Sequence, residues 1–402
     1  MKSFNVDSKL TDINVIKQAI VTVCKSKRKK PTGSNRKYKF AQHILANLDE
    51  YAQKTLEIVL AFDRVYGARE RQEPINEADL QLMYRPTRCN PFTIRDAGSG
   101  KERTIISVPI FPDQIIHQLL MEAAKPVFMR EMYEYSCGSI PDGGIHKGKK
   151  YLARTIKRHR NRDKTAIKYA AQLDIAKCYP SISHSILKNR LRRKFRGKLF
   201  YWLSCAVIDS YHDSEVDGER YGLPLGYSTS HWFCNFYLTP LDHFIKNELG
   251  LEYYVRYMDD MVFFGRNKKK LHRAVRAIMA FLQAIRLRLK HTWQVFRFDY
   301  IDRYGRRRGR AIDTLGFRFF RDKIILRKRL ALTIRRAVRK VARMKQITPH
   351  AARSLMSRLG WLRHCNSYNF YHEYVLPYVN IKKLKGVIRN ASREHCKAQT
   401  AI

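Results

Sequence analysis

Acidic residues are scarce in this 402-residue chain, with 35 Asp and Glu against 79 Lys and Arg and a formal charge of +44. Such a surplus repels itself without a polyanionic partner and implies strong, salt-sensitive binding to phosphate backbones. Long hydrophobic runs are missing too. The longest, 199–208, is interrupted by Ser204 and is too short to span a bilayer, so no membrane partner is expected. No apolar stretch follows Met1-Lys2-Ser3-Phe4-Asn5, so a cytoplasmic location is expected. The 8 cysteines include no C-x-x-C pair and read as free thiols of a reducing compartment. His364, Cys365, His372, His395 and Cys396 lack the regular spacing of a structural zinc site. No internal repeat is evident. Hydrophobic residues, at 45%, still suffice for a large core, which excludes a disordered basic tail. The length allows two or three subdomains around a shared cleft.

Where acid does occur, its setting is unusual. Tyr257-Met258-Asp259-Asp260 puts two adjacent aspartates between the apolar segments Tyr253-Tyr254-Val255 and Met261-Val262-Phe263-Phe264. These β-branched and aromatic flanks predict two short strands joined by a tight turn. Carboxylates so close to a core need partners or cations. Hard divalent ions such as Mg²⁺ supply that compensation. A lone Asp-Asp is more often a solvated hairpin tip, but the apolar flank argues against that here. A second acidic element, Ala171-Gln172-Leu173-Asp174-Ile175, reads as a strand carrying one carboxylate; Ala176-Lys177-Cys178-Tyr179-Pro180-Ser181-Ile182 follows it.

These two segments resemble motifs A and C of reverse transcriptases. The resemblance implies that Asp174, Asp259 and Asp260 are catalytic carboxylates that hold two Mg²⁺ ions, with Mn²⁺ able to substitute. The Ile175 carbonyl would be an extra ligand, and Tyr179 the aromatic that screens the sugar 2′ position. The likeness continues in family order from about residue 92 to 385. Lys101-Glu102-Arg103-Thr104-Ile105 resembles the fingers strand whose Lys and Arg meet the incoming triphosphate, and two cations on one strand face suit phosphate oxygens. Gly222-Leu223-Pro224-Leu225-Gly226-Tyr227-Ser228-Thr229-Ser230-His231 resembles motif B, a Gly-rich turn feeding a helix beneath the templating base. Gly226, Ser230 and His231 would be nucleotide-binding residues. Enzymes of diversity-generating retroelements usually carry Gln where this chain has His231.

Leu287-Arg288-Leu289-Lys290-His291-Thr292-Trp293-Gln294-Val295-Phe296 resembles motif D, with Lys290 as the general acid for the leaving pyrophosphate; an exposed strand-end lysine is the alternative. Ile312-Asp313-Thr314-Leu315-Gly316-Phe317-Arg318-Phe319 resembles the primer-grip hairpin. There Leu315 and Gly316 would approach the primer terminus, although packing alone would also account for them. Gly360-Trp361-Leu362-Arg363-His364 and Asn366-Ser367-Tyr368-Asn369-Phe370 resemble the thumb.

The implied fold is an α+β right-hand polymerase with fingers, an antiparallel-sheet palm and a helical thumb. Its expected parts are a basic amino-terminal arm over 1–46, fingers over 47–165, palm over 166–326 and a basic helical thumb and tail over 327–402. The apolar spacing of 44–65 and 115–130 predicts helices, and 137–148 reads as a glycine-containing loop with His146, Lys147 and Lys149. Residues 185–196 and 328–345 read as basic helices, and 303–310 as an exposed basic hairpin tip. The implied activity is RNA-directed DNA synthesis in a bacterial or phage retroelement of diversity-generating type. An antiphage-defence enzyme acting on a non-coding RNA is the alternative, and a non-catalytic RNA-binding splicing cofactor a further one. Implied partners are a template or non-coding RNA, a DNA or RNA primer, dNTPs, and a small basic accessory protein or second defence subunit. Neither an HNH-type Cys/His cluster nor room for a ribonuclease H domain is apparent.

Overall fold

Ile16, Ala19, Ile20, Val23 and Cys24 recur at helical spacing and form the buried face of helix Ile13–Lys25 in the computed structural model. The structure describes residues 3–28, 34–87, 89–95, 102–161 and 164–400, and for 161 and 394–400 the backbone alone. Lys101, the turn 96–100, part of the basic arm (29–33) and the side chains of His395 and Cys396 lie outside what is described. The chain divides into two units. The first is Met1–Lys147, Leu173–Met261 and His272–Trp293; the second is Gly148–Gln172, Val262–Leu271 and Gln294–Ile402.

The strands, in chain order, begin with β1 (Asn90–Arg95), β2 (Glu102–Ser107), β3 (Tyr169–Asp174), β4 (Ser214–Val216), β5 (Glu219–Tyr221) and β6 (Tyr254–Tyr257). They continue with β7 (Asp260–Gly265), β8 (Gln294–Arg297), β9 (Tyr300–Ile301), β10 (Arg307–Arg308), β11 (Ile312–Thr314), β12 (Phe317–Phe319) and β13 (Ile324–Leu326). The central sheet has the order β6-β7-β3-β8. β3 pairs antiparallel with β8 from Tyr169 opposite Arg297 to Gln172 opposite Gln294. Antiparallel sheets beside helices make the fold α+β, as expected.

In the first unit, helix Ile13–Lys25 packs on helices Ile115–Glu131 and Leu48–Arg71, so the amino-terminal segment contributes to the core. Phe128 meets the rings of Phe195, Trp232, Phe233 and Phe236 at 5.1–6.4 Å between centroids. Such aromatic pairs are worth about 0.5–1.5 kcal/mol each beyond their burial. The expected helix over 44–65 is interrupted: Arg36–Ala46 and Leu48–Arg71 are separate, because Asn47 leaves helical geometry at φ −116°, ψ 43°. The loop expected over 137–148 ends early, with helix Gly144–Asn161 starting inside it, so His146, Lys147 and Lys149 stand on a helix. The cations of helix His184–Lys194 are partly structural. Lys194 is buried against Glu131 at 2.5 Å, Lys188 meets Asp209 at 2.5 Å, and Arg190 donates to the Tyr237 carbonyl.

In the second unit, β11, β12 and β13 form an antiparallel sheet. Ile334, Val338 and Val341 give helix Lys328–Ala342 its buried face, and this helix packs on Pro349–Leu359, which in turn packs on Ile381–Thr400. The tip at 303–310 is a hairpin between β9 and β10. Two of its arginines are already engaged by acids, Arg307 with Asp322 at 2.6 Å and Arg308 with Asp302 at 3.2 Å. Among the described residues, no helix is long and apolar enough to cross a membrane.

Candidate active site

β3 ends on Asp174, and β7 begins on Asp260 after a turn that holds Met258 at φ 54°. Backbone hydrogen bonds join these ends. The Ile175 N–H donates to the Asp259 carbonyl at 3.2 Å, the Ala176 N–H to Arg288 at 2.8 Å, and the Lys290 N–H to Asp174 at 2.8 Å. Asp174, Asp259 and Lys290 are therefore brought together, although Lys290 lies 116 residues from Asp174.

The charges at this point do not balance. Lys290 Nζ donates to Asp174 Oδ2 at 2.5 Å, while Asp174 Oδ1 is buried without a hydrogen-bond partner among the described residues. Burial, and then repulsion from Asp174, push the Asp259 carboxyl above the usual range. One ammonium thus serves two mutually repelling carboxylates, with Asp260 next in the chain. Among the described residues, no three Asp, Glu, His or Cys side chains are grouped so as to hold a metal ion, so the structure does not gather Asp260 with Asp174 and Asp259. Mg²⁺ commonly takes one or two carboxylates and fills its remaining positions with water and substrate phosphate. The acidic pair, with its orphaned buried oxygen, fits that kind of ion.

Motif B turns against β2. Gly226 adopts φ 119°, and a Cβ there would lie 2.3 Å from the Ile106 carbonyl oxygen, so only glycine fits. The Ile106 N–H donates to the Leu225 carbonyl at 2.7 Å. A cavity of about 620 Å³ opens beside this contact, lined by Gly226, Tyr227, Ser228 and His231, by Ile105 and Ile106, and by Lys27 and Lys37. Burial pushes the His231 imidazole down from its ordinary value, so it is neutral at physiological pH. His117 packs on Tyr227 with ring centroids 4.6 Å apart and the planes tilted by 44°, and burial takes its imidazole down to about 3. Ser230 is buried, its hydroxyl unpartnered among the described residues, and it does not line this cavity. Arg103 is exposed on β2, away from the lining, and Lys101 lies outside the described residues. Tyr179 opens the 3-10 turn Tyr179–Ser181; its carbonyl accepts from the Leu223 N–H at 3.0 Å, and burial raises its phenol. The segment after β3 is thereby tied to motif B.

Lys27 and Lys37 had no local signal beyond a generally basic segment. Both are seated by side-chain bonds, Lys27 to Gln114 at 2.5 Å and Lys37 to Ser107 at 2.8 Å. Gly226→Ala is expected to force β2 away from motif B, raising KM for dNTPs and costing more than about 1 kcal/mol for the left-handed backbone alone. Steady-state kinetics beside thermal melts check this; parental KM and melting would refute the close approach.

A buried ion pair lies beneath the acidic turn, and sequence reasoning missed it. Arg256 on β6 and Asp242 on helix Ser230–His243 are both fully buried, joined at 2.8 Å (Nε to Oδ1) and 2.6 Å (Nη2 to Oδ2). Tyr254 donates its hydroxyl to Asp242 at 2.7 Å. Arg256 Nη1 donates to the Met258 carbonyl at 2.9 Å and to Asn235 Oδ1 at 3.0 Å. The turn is thus anchored to the helix that follows motif B. A single cation inside the apolar strand Tyr254-Val255-Arg256-Tyr257 was the available signal.

In the second unit, Leu315 and Gly316 form the turn between β11 and β12, at φ 56° and 83°. Two successive positive φ values match the twist of a two-residue hairpin. A Cβ on Gly316 would lie 2.8 Å from Trp361, whose ring packs on Phe317 at 5.4 Å. Close packing therefore accounts for this glycine.

The chain matches the reverse transcriptase (RNA-dependent DNA polymerase) family over residues 94–318, more than half its length. No curated protein sequence matches it. Among solved structures it is similar to telomerase from Candida tropicalis in complex with a TWJ fragment of telomeric RNA, at 12% identity and a TM-score of 0.44, covering 72% of this chain and 55% of that one. Apo telomerase from Candida tropicalis gives 13% and 0.44, covering 86% and 68%. Telomerase from Candida albicans with the TWJ fragment gives 14% and 0.42, covering 92% and 73%. The chain thus spans little more than half of the first of these. The sequence match carries the assignment: its span includes both acidic strand ends, the glycine turn of motif B and Lys290, and the chain belongs to the reverse transcriptase family.

Proposed function

We propose that the protein is an RNA-directed DNA polymerase that copies a dedicated structured RNA into DNA. The observation that carries this reading is the joining of Asp174 and Asp259 by the backbone bonds around Ile175, with Lys290 on Asp174. When bound, two Mg²⁺ ions held by Asp174, Asp259, Asp260 and the Ile175 carbonyl would supply Lewis-acid activation and charge stabilisation for in-line phosphoryl transfer. Lys290, whose Nζ donates to Asp174, would act as the general acid for the leaving pyrophosphate, as its likeness to motif D implies. Lys101 and Arg103 neutralise triphosphate charge, and Leu315 and Gly316 support the primer. Fingers over 47–165, palm over 166–326 and thumb over 327–402 are the corresponding assignments. Extension of a primed RNA template with dNTPs, dependent on Mg²⁺ or Mn²⁺, tests the reading; no incorporation with either ion would overturn it.

Tyr179 rejects ribonucleotides by volume. Tyr179→Ala is expected to admit rNTPs with little loss of dNTP use, measured as the ratio of the two kcat/KM values. An unchanged ratio would make Tyr179 a packing residue.

Leu225, Gly226 and Ser230, with Trp293-Gln294-Val295-Phe296, support the diversity-generating branch, whose partner would be a small basic accessory protein. His231 in place of Gln, with the long basic amino-terminal arm, leaves room for antiphage defence on a non-coding RNA. Sequencing the RNA and nascent DNA that co-purify, and inspecting the neighbouring genes for a template/variable repeat pair, separates the two. His231 lines the motif B cavity and differs from Gln in reach and direction. His231→Gln is expected to change the misincorporation spectrum, above all opposite adenine, more than the rate. Identical error spectra on one RNA would assign His231 to structure.

A further inference from the structure

We propose that a basic cavity in the second unit is a dedicated site for the phosphates of single-stranded or looped RNA, built from none of the residues assigned to polymerisation. The cavity has a volume of about 580 Å³, and six cations line it: Arg160, Lys164, Lys168, Arg297, Arg307 and Arg321. Its carboxylates are Asp299 and Asp322, and both are spoken for. Asp299 is buried; its Oδ2 accepts from the Arg321 N–H at 2.8 Å and from Arg307 at 3.4 Å. Asp322 accepts from Arg307 at 2.6 Å. Arg160, Lys164, Lys168 and Arg297 have no carboxylate partner among the described residues, and their summed positive field favours an anion from outside the chain.

A second observation points the same way. Arg321 donates Nε to the Asp299 carbonyl at 2.8 Å and Nη2 to Ile167 at 3.3 Å, but its Nη1 is buried with no partner. A buried guanidinium N–H without an acceptor is costly, and a phosphate oxygen suits its planar fork. Arg297 lies over the Tyr300 ring at 4.4 Å, a cation–π contact that helps to hold its guanidinium at the cavity wall. A concave pocket of this size admits a turn of single strand or a loop with splayed bases, whereas a rigid duplex offers its phosphates on a convex surface.

This inference deepens the polymerase reading by naming where the dedicated RNA is held, and it rests on that reading only for the biological role of the RNA. The test titrates the full chain, parental and Lys164→Gln/Lys168→Gln, with a short unstructured RNA oligonucleotide across a salt series. The expected result is a salt slope of log affinity reduced by about 1.4, at ~0.7 for each lost single-strand phosphate contact. Thermal melting, and extension of a preformed primer–template at saturating RNA, are expected to stay parental. An unchanged slope and affinity would overturn the site. So would displacement of the RNA by an equimolar amount of inorganic tripolyphosphate, which would make it a pocket for free polyphosphate. Polyglutamate binding as tight as RNA, and equally weakened in the variant, would make it a surface for an acidic protein. A reduced slope in a chain that never extends a primer would sink the polymerase reading and leave the site standing; extension with an unchanged slope would do the reverse.

Discussion

Asp259→Ala is expected to lower primer extension on an RNA template by more than about 100-fold, since partners one shell removed from a metal already cost up to that factor. Asp174→Ala is expected to do the same, and thermal melting separates this effect from misfolding. Burial and Asp174 already push the Asp259 carboxyl up, so the folded chain gains nothing from holding the two charges together. Removing the Asp259 carboxylate should therefore leave stability unchanged or raise it. A gain or parity in melting temperature with loss of extension is the signature of a site kept for chemistry. Full activity of Asp259→Ala on a primed RNA would defeat the assignment, and a large fall in melting temperature would make the aspartate structural.

The elements nearest this site were legible because local pattern specified them. The continuous β-branched and aromatic flanks around Asp259 and Asp260 become β6 and β7, and the run ending at Asp174 becomes β3. Helix limits were less legible. Asn47 breaks an apolar rhythm that continues across it, and Gly144, at φ 87°, reads as loop although a helix starts there. Lys290 was named through family resemblance, but its ion pair with Asp174 depends on the register of 288–290 against 174–176, a long-range fact that local spacing does not carry. The same holds for Gly226. Its glycine was visible, whereas the Ile106 carbonyl that demands it comes from another segment. Cations gave the poorest signal. In a chain this basic, Lys194 and Arg256 look like surface charge, yet each is buried against an acid from a different element.

Arg256 leads to the second large effect. Arg256→Met would leave the Asp242 carboxylate buried and unpaired, a loss expected to cost about 3–5 kcal/mol. Thermal unfolding should fall accordingly, and low activity in this variant alone would say little about the turn. The informative variant replaces the whole network: Arg256→Met, Asp242→Leu and Tyr254→Phe together remove the ion pair and the hydroxyl that donates to it. Substituting a buried pair by apolar residues of similar volume is often neutral or stabilising, so melting should return toward the parental value. Activity should not return with it. The bond from Arg256 Nη1 to the Met258 carbonyl is gone, and the left-handed Met258 that presents Asp259 loses its anchor to helix Ser230–His243. The expected readout is a higher Mg²⁺ concentration for half-maximal extension and a lower kcat, with KM for the primed RNA unchanged. A stable triple variant with parental Mg²⁺ dependence and kcat would show that the pair only fills the core, because packing alone has no reason to move the ion requirement.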